Sequence, residues 1–193
     1  MAGYGEWDHM EYRALMGRGS DAERTSMICW VAAGLTAAVL LSWGVAARSS
    51  GLMLPVVFAV AFGFYAMIHG RQQVRLIAGY VREFFETSDR GPQWFTRLGH
   101  LEVVPGFNVA SDWTAATLAN CAVAAAVVLA WVFAPGAAKG DLMAGLTTGC
   151  GVAFAFHSIS ETARLRQTNP AAFWRQVGRN ASEERPGPRA VAR

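Results

Sequence analysis

Charge is what this sequence has least of. Asp, Glu, Lys and Arg make up 16% of its 193 residues, where a soluble domain carries about 25%. The shortfall is concentrated. None of the four occurs in residues 26–47, 52–69, 113–134 or 142–160. Each run approaches the ~20 residues that a ~30 Å hydrocarbon core requires of a helix. This pattern excludes an ordinary soluble enzyme. It also excludes a membrane β-barrel, whose strands alternate over ~10-residue segments rather than running continuously apolar.

Other absences narrow the functional classes further. There are three cysteines, Cys29, Cys121 and Cys150. All fall inside the apolar runs, where a free thiol behaves as a small apolar group, and their spacing fits no zinc pattern. No structural disulfide or thiol-exchange chemistry is expected, and four-helix disulfide-forming enzymes need cysteines in their outer connections. No carboxylate interrupts the apolar runs. A proton-coupled transporter needs such an acid near the midplane, and small multidrug exporters depend on a Glu in their first helix. The chain has no Gly-rich phosphate loop, G-x-S-x-G or H-E-x-x-H. The expectation is a non-enzyme without a cofactor.

What is present is Arg, and it is unevenly placed. Arg outnumbers Lys 16 to 1, which together with the abundant Ala reads as a GC-rich bacterial gene. Arg13, Arg18 and Arg24 precede the first run. Five arginines (Arg71, Arg75, Arg82, Arg90 and Arg97) lie between the second and third, and seven follow the fourth, from Arg164 to Arg193. The two short connections hold only Arg48 and Lys139. The positive-inside rule puts both termini and the central segment in the cytoplasm of a bacterial inner-membrane protein. The polar, mixed-charge start is unlike a cleavable secretory signal.

The expected fold is all-α: an integral membrane four-helix bundle of two hairpins with cytoplasmic helical extensions. Its parts are an N-terminal segment (1–25), a first transmembrane hairpin (26–69), an amphipathic segment (70–110), a second hairpin (111–160) and a C-terminal tail (161–193). Arg48-Ser-Ser-Gly51 and Pro135-Gly-Ala-Ala-Lys-Gly140 read as the tight turns. Pro55 suits the first turn of the second span; Ser111, Asp112 and Asp141 are N-cap residue types. Val74, Ile77, Val81 and Phe84/Phe85 continue the second span as a helical stripe, ended by Asp89-Arg-Gly-Pro92. Trp94, Phe95 and Leu98 suggest a short amphipathic piece, and Val103-Val-Pro-Gly106 a turn back to the membrane. The fourth span runs on to about Arg166 and is broken at Asn169-Pro170. Residues 171–176 read as a short interfacial helix and 179–193 as disordered. The halves share a layout of span, turn, span with a His and basic extension, which fits a degenerate duplication.

Four features carry candidate function. Gly145-Leu-Thr-Thr-Gly149, the Gly34/Ala38/Ser42 series and Ala115, Ala119 and Ala122/Ala126 are small-residue stripes. They suit close helix approach, either between copies of the chain or within it. Thr114, Thr117, Asn120 and Cys121 group on one side of the third span, and Thr147 and Thr148 lie in the fourth. They fit a narrow, weakly polar pore lining or ordinary interhelical hydrogen bonding. His69 and His157 lie at similar depth and could supply axial haem ligands or half a metal site. Interfacial imidazoles are the plainer alternative. Finally, Arg71, Arg75 and Arg82 share a helical face, with Arg90, Arg97, Arg164 and Arg166 expected nearby. Arginine forks match phosphate, so a nucleotide or oligonucleotide is one ligand class; anionic lipid is the other.

Two stretches carry a family resemblance. Glu11-Tyr-Arg-Ala-Leu15 precedes the first hairpin, and Val74-Arg-Leu-Ile-Ala-Gly-Tyr-Val-Arg-Glu-Phe-Phe-Glu86, followed by Trp94, comes after the second span. With the four-span layout, they resemble small bacterial membrane effectors of anti-phage systems, including Hailong-type channel proteins. The resemblance implies a homo-oligomeric channel controlled by a nucleotide or short DNA product, with Arg71, Arg75 and Arg82 as phosphate contacts. The alternatives are a mono-haem redox protein and a non-transporting membrane scaffold.

Overall fold

The computed structural model describes residues 4–85, 110–134, 136, 138–167 and 169–183, and these are helical apart from short connections. The elements are α1 (Tyr4–Ala46), a 3-10 turn (Ser50–Leu52), α2 (Met53–Phe84), α3 (Ala110–Val132), α4 (Ala138–Gln167) and α5 (Pro170–Glu183). Four of them, α1 to α4, are long and apolar enough to cross a membrane. Their large apolar side chains face outward: Leu35, Val39, Phe58, Phe62, Val128 and Val152 are exposed, and Phe156 is 77% exposed. An apolar surface of this kind marks a membrane-facing or protein-interaction face.

Helix α2 is the hub. It packs along α1 on one side, against α3 and α4 on the other, and against α5 at the basic end. The α1–α2 contact depends on missing side chains. A Cβ on Gly63 would meet Ala33 at 2.5 Å and Trp30 at 3.2 Å; one on Gly70 would meet Ser26 at 2.4 Å; one on Gly44 would meet Met53 at 2.2 Å. These contacts align the charge-free stretches of the two helices, with Ser26 level with Gly70 at one end and Gly44 level with Met53 at the other. Lipid offers no hydrophobic drive for association, so backbone proximity and dispersion must hold such a pair.

The rest of the core is an alanine seam. Ala115, Ala116, Ala119, Ala126 and Ala130 of α3 are buried against Phe64, Val56, Val57 and Val60 of α2 and Phe154 of α4. The Phe64 and Phe154 rings meet edge to face at 5.6 Å. Gly151 admits α3 closely: its added Cβ would lie 3.0 Å from Val127 and 3.1 Å from Val123.

Several expectations change. From Tyr4 on, the N-terminal segment is helical and continuous with the first span in α1, a 43-residue helix about 65 Å long at ~1.5 Å per residue. Tyr12, Leu15, Met16, Gly19 and Ala22 are half-buried at helical spacing, which gives that segment a face to pack on α2. Helices α3 and α4 begin before the expected caps, so Asp112 and Asp141 lie within first helical turns rather than preceding them. Lys139 and Gly140 are therefore helical, and the turn contracts toward Gly136, whose φ is +70°. The Gly34/Ala38/Ser42 stripe is exposed; Ala33, Ala37 and Gly44 make the α1 contact instead. Helix α5 begins at Pro170 with Asn169 as its cap, Asn169 Oδ1 accepting from the Ala172 N–H at 3.3 Å. It continues to Glu183, so the first part of the stretch expected to be disordered is helical; no Pro interrupts it before Pro186. Asp89-Arg-Gly-Pro92, Trp94, Phe95, Leu98, Val103-Val-Pro-Gly106, Arg90, Arg97 and residues 184–193 lie outside the described residues.

Candidate functional site

The basic end is organised by one aspartate. Asp112 sits in the first turn of α3 with its side chain only 8% exposed. Arg71 and Arg75, one turn apart on α2, both reach it. Arg71 pairs with Asp112 Oδ1, and Arg75 Nη2 lies 3.1 Å from Asp112 Oδ2. Arg75 Nη1 also donates to the Leu165 carbonyl at 2.6 Å, near the end of α4. One guanidinium thus joins the start of α3 to the end of α4 across α2. The two arginines carry one positive charge more than the carboxylate neutralises.

Two other predicted arginines are placed differently. Arg82 is exposed. Arg164 lies 3.8 Å from Glu161, one turn away on α4. The Arg166 side chain lies outside the described residues. Arg71 and Arg75, the expected phosphate contacts, are both engaged by Asp112, whose residue type had suggested a cap.

Beyond the clasp, α1, α2 and α5 converge. The Tyr80 hydroxyl donates to Glu11 Oε1 at 3.0 Å, and its ring meets Trp174 edge to face at 5.0 Å. Burial and the Glu11 hydrogen bond raise the Tyr80 phenol above its ordinary range, so it acts as a neutral donor. Trp174 Nε1 donates to the Leu76 carbonyl at 2.9 Å. Pro170 and Trp174 cover Gly79, where a Cβ would lie 2.6 Å from the proline. Arg175 of α5 lies 3.8 Å from Glu83 of α2. The exposed Phe173 and Val177 leave α5 an apolar surface of its own.

Three polar residues of the apolar segments share the outer face of α3 and α4. Thr117, Asn120 and Thr148 line a groove of about 670 Å³ there, together with Cys121 and Gly151. Asn120 Nδ2 donates to the Ala116 carbonyl at 2.8 Å and to Ser158 Oγ at 2.9 Å. Its Oδ1 is buried and accepts no hydrogen bond among the described residues. Thr148 donates to the Ala144 carbonyl at 2.8 Å and accepts from Trp131 Nε1 at 3.0 Å. Gly145 and Gly149 are exposed, and an added Cβ at either would meet nothing within 4 Å. That G-x-x-x-G makes no close contact with the described part of its own chain. Ser158, the partner of Asn120, was not singled out from sequence; hydroxyl residues are common on apolar helices, where they bond back to the preceding turn.

The two candidate haem histidines have different surroundings. His69 Nε2 lies 2.9 Å from Gln73 Nε2 and borders a groove between α1 and α2. The His157 ring lies 5.2 Å from Tyr65. The two imidazoles share no hydrogen bond or ring contact among the described residues, and no group of three or more His, Cys, Asp or Glu residues there could hold a metal. The three cysteines are free thiols.

No protein-family model, curated protein or solved structure matches this chain.

Proposed function

We propose that the chain is the subunit of a homo-oligomeric channel or pore-forming effector. It is non-enzymatic and spans the bacterial inner membrane, with its basic end in the cytoplasm. The observation that carries this reading is the groove on the outer face of α3 and α4. A chain standing alone leaves Thr117 exposed toward hydrocarbon, which offers it no partner, and leaves the buried Oδ1 of Asn120 beside it without a donor among the described residues. Copies arranged about an axis turn these faces toward one another. Gly145 and Gly149 would permit the backbones to approach, and the hydroxyl and amide groups would line a narrow conduit.

The clasp supplies a gating element. A ligand shifts an equilibrium only through its different affinity for the two states. A phosphate group competes with Asp112 for the two forks of Arg71 and Arg75, and so favours the state in which the start of α3 is released. Exposed Arg82, one further turn-pair along the same face, adds a contact for a second phosphate. A nucleotide or short oligonucleotide has this chemistry. The resemblance to Hailong-type effectors adds anti-phage defence to the reading.

The test is native mass spectrometry of the gently solubilised protein, followed by current recording in planar bilayers. A closed oligomer that conducts, with current altered by Asn120→Leu, is the expected result. A monomer that passes no current sinks the channel. If current persists and its nucleotide response is unchanged in an Arg71→Glu, Arg75→Glu and Arg82→Glu variant, gating at the clasp is wrong while the channel stands.

A further inference from the structure

A second groove, also of about 670 Å³, runs along the α1–α2 pair on a different side of the chain from the clasp. Its floor is made by the close approach of Gly70 to Ser26 and to the Ala22 carbonyl. Because those residues are small, the helices touch at backbone level and their larger neighbours stand up as walls. The groove crosses the point where both charge-free runs end. On the apolar side it is lined by Cys29 and Ala66; on the other by Arg18, Asp21 and Thr25 of α1 and His69 and Gln73 of α2, with Leu76 and Ile77 of α2 walling that end. All five polar residues are exposed.

The charges are of both signs. Arg18 and Asp21 lie one helical turn apart on α1, yet neither forms an ion pair among the described residues. A purely anionic headgroup would gain from Arg18 and be opposed by Asp21. A headgroup bearing a phosphate and a primary ammonium satisfies both. The phosphate takes the Arg18 fork and the side-chain donors of Thr25, His69 or Gln73, and the ammonium donates to the Asp21 carboxylate. The apolar end of the groove then receives the start of an acyl chain, as expected of a ligand that straddles the boundary.

We propose that this groove is a binding site for a zwitterionic aminophospholipid, with phosphatidylethanolamine as the chemical class. The occupant is the lipid and not a soluble phosphoamine, because part of the lining lies within the apolar segment. The site belongs to the single chain and does not depend on the channel reading.

The experiment delipidates the full chain in detergent and reads lipid retention by native mass spectrometry and protection against heat. The probes are phosphatidylethanolamine, phosphatidylglycerol, phosphatidylcholine and water-soluble glycerophosphoethanolamine. Phosphatidylethanolamine is expected to be retained about tenfold better than the others, the scale of one charge-assisted hydrogen bond. Phosphatidylcholine tests the ammonium N–H donors, and the soluble headgroup tests the acyl chain. Asp21→Asn is expected to abolish the preference for phosphatidylethanolamine over phosphatidylglycerol. Arg18→Gln is expected to weaken retention of both. Both side chains are exposed, and circular dichroism checks that each variant keeps its helices. Equal retention of all three lipids overturns the proposal, as does an unchanged preference in Asp21→Asn. Protection by the soluble headgroup equal to that by the lipid overturns the assignment to lipid.

Discussion

Arg75 holds Asp112 at 3.1 Å with one guanidinium nitrogen and the Leu165 carbonyl at 2.6 Å with the other. The arrangement follows from helix electrostatics. The first turn of α3 exposes N–H groups and favours an anion, while the last turn of α4 exposes carbonyls and favours a cation. Placing Asp112 and Arg75 at those two ends, joined by a fork, lets one arginine serve both. Arg71 then completes the pairing of a carboxylate that would otherwise sit nearly buried beside one cation.

Removing the carboxylate should therefore be more harmful than removing one arginine. Asp112→Ala leaves two guanidiniums one turn apart without the carboxylate that both reach. A fully buried pair loses about 3–5 kcal/mol when one partner is removed. Because Arg71 and Arg75 are 31% and 40% exposed, a loss of about 2 kcal/mol is expected here. Thermal unfolding in detergent measures it. Adding Arg71→Gln should recover part of the loss, and a double variant no better than Asp112→Ala would show that like-charge repulsion is not its source.

The glycines of α2 and α1 should differ sharply. Gly70→Ala places a methyl 2.4 Å from Ser26 and 3.1 Å from the Ala22 carbonyl, so the helices must separate, at about 1–3 kcal/mol. Gly34→Ala meets nothing within 4 Å and should be neutral or slightly stabilising, by up to about 1 kcal/mol. Equal effects on the unfolding temperature would mean that α1 does not pack on α2 in this register.

The four long helices were legible because hydrophobic run length is a one-dimensional signal, and so was the continuation of α2 through Val74, Ile77 and Val81. The helical start of α1 was not read from the sequence, because its mixed charge masks the stripe of Tyr12, Leu15, Met16, Gly19 and Ala22. The clasp was half legible. The shared face of Arg71 and Arg75 follows from their spacing, whereas their partner lies 37 residues beyond Arg75. Asp112 also fits a local N-cap, and local pattern does not decide between a cap and a long-range ion pair. Which of two neighbouring small-residue stripes on α1 meets α2 was not legible either. Gly34/Ala38/Ser42 and Ala33/Ala37 are equally small, and the choice is made by the position of Gly63 and Gly70 on the other helix.

Docking of α5 should depend on Trp174. Its indole donates to the Leu76 carbonyl and its ring packs on Tyr80. Trp174→Phe keeps the ring contact and loses one hydrogen bond, while Trp174→Ala loses both. Limited proteolysis near Arg175 and Arg179 should be little changed in the first and clearly faster in the second, because a short helix holds its shape through packing more than through propensity. Equal protection in both variants would place the docking energy elsewhere.

The turn between α1 and α2 carries backbone strain that a substitution can release. Ser49 N–H bonds to the Gly44 carbonyl at 3.0 Å and Arg48 N–H to the Val45 carbonyl at 3.2 Å. This is a Schellman ending, and it puts Arg48 in the left-handed region at φ 47°. Glycine occupies that position without a Cβ penalty of about 1 kcal/mol or slightly more. It also adds freedom to the unfolded chain, so Arg48→Gly should gain a net of about 0.5–1 kcal/mol. Arg48→Ala separates charge from conformation, since alanine removes the guanidinium and keeps the strain. A rise in unfolding temperature with glycine but not alanine supports the turn geometry. A rise with both would assign the effect to charge, and no rise with glycine would mean that the turn is not left-handed at Arg48. Neither variant should change the orientation of the chain, because losing an arginine from a connection that holds one only enlarges the difference in basic charge between the two sides.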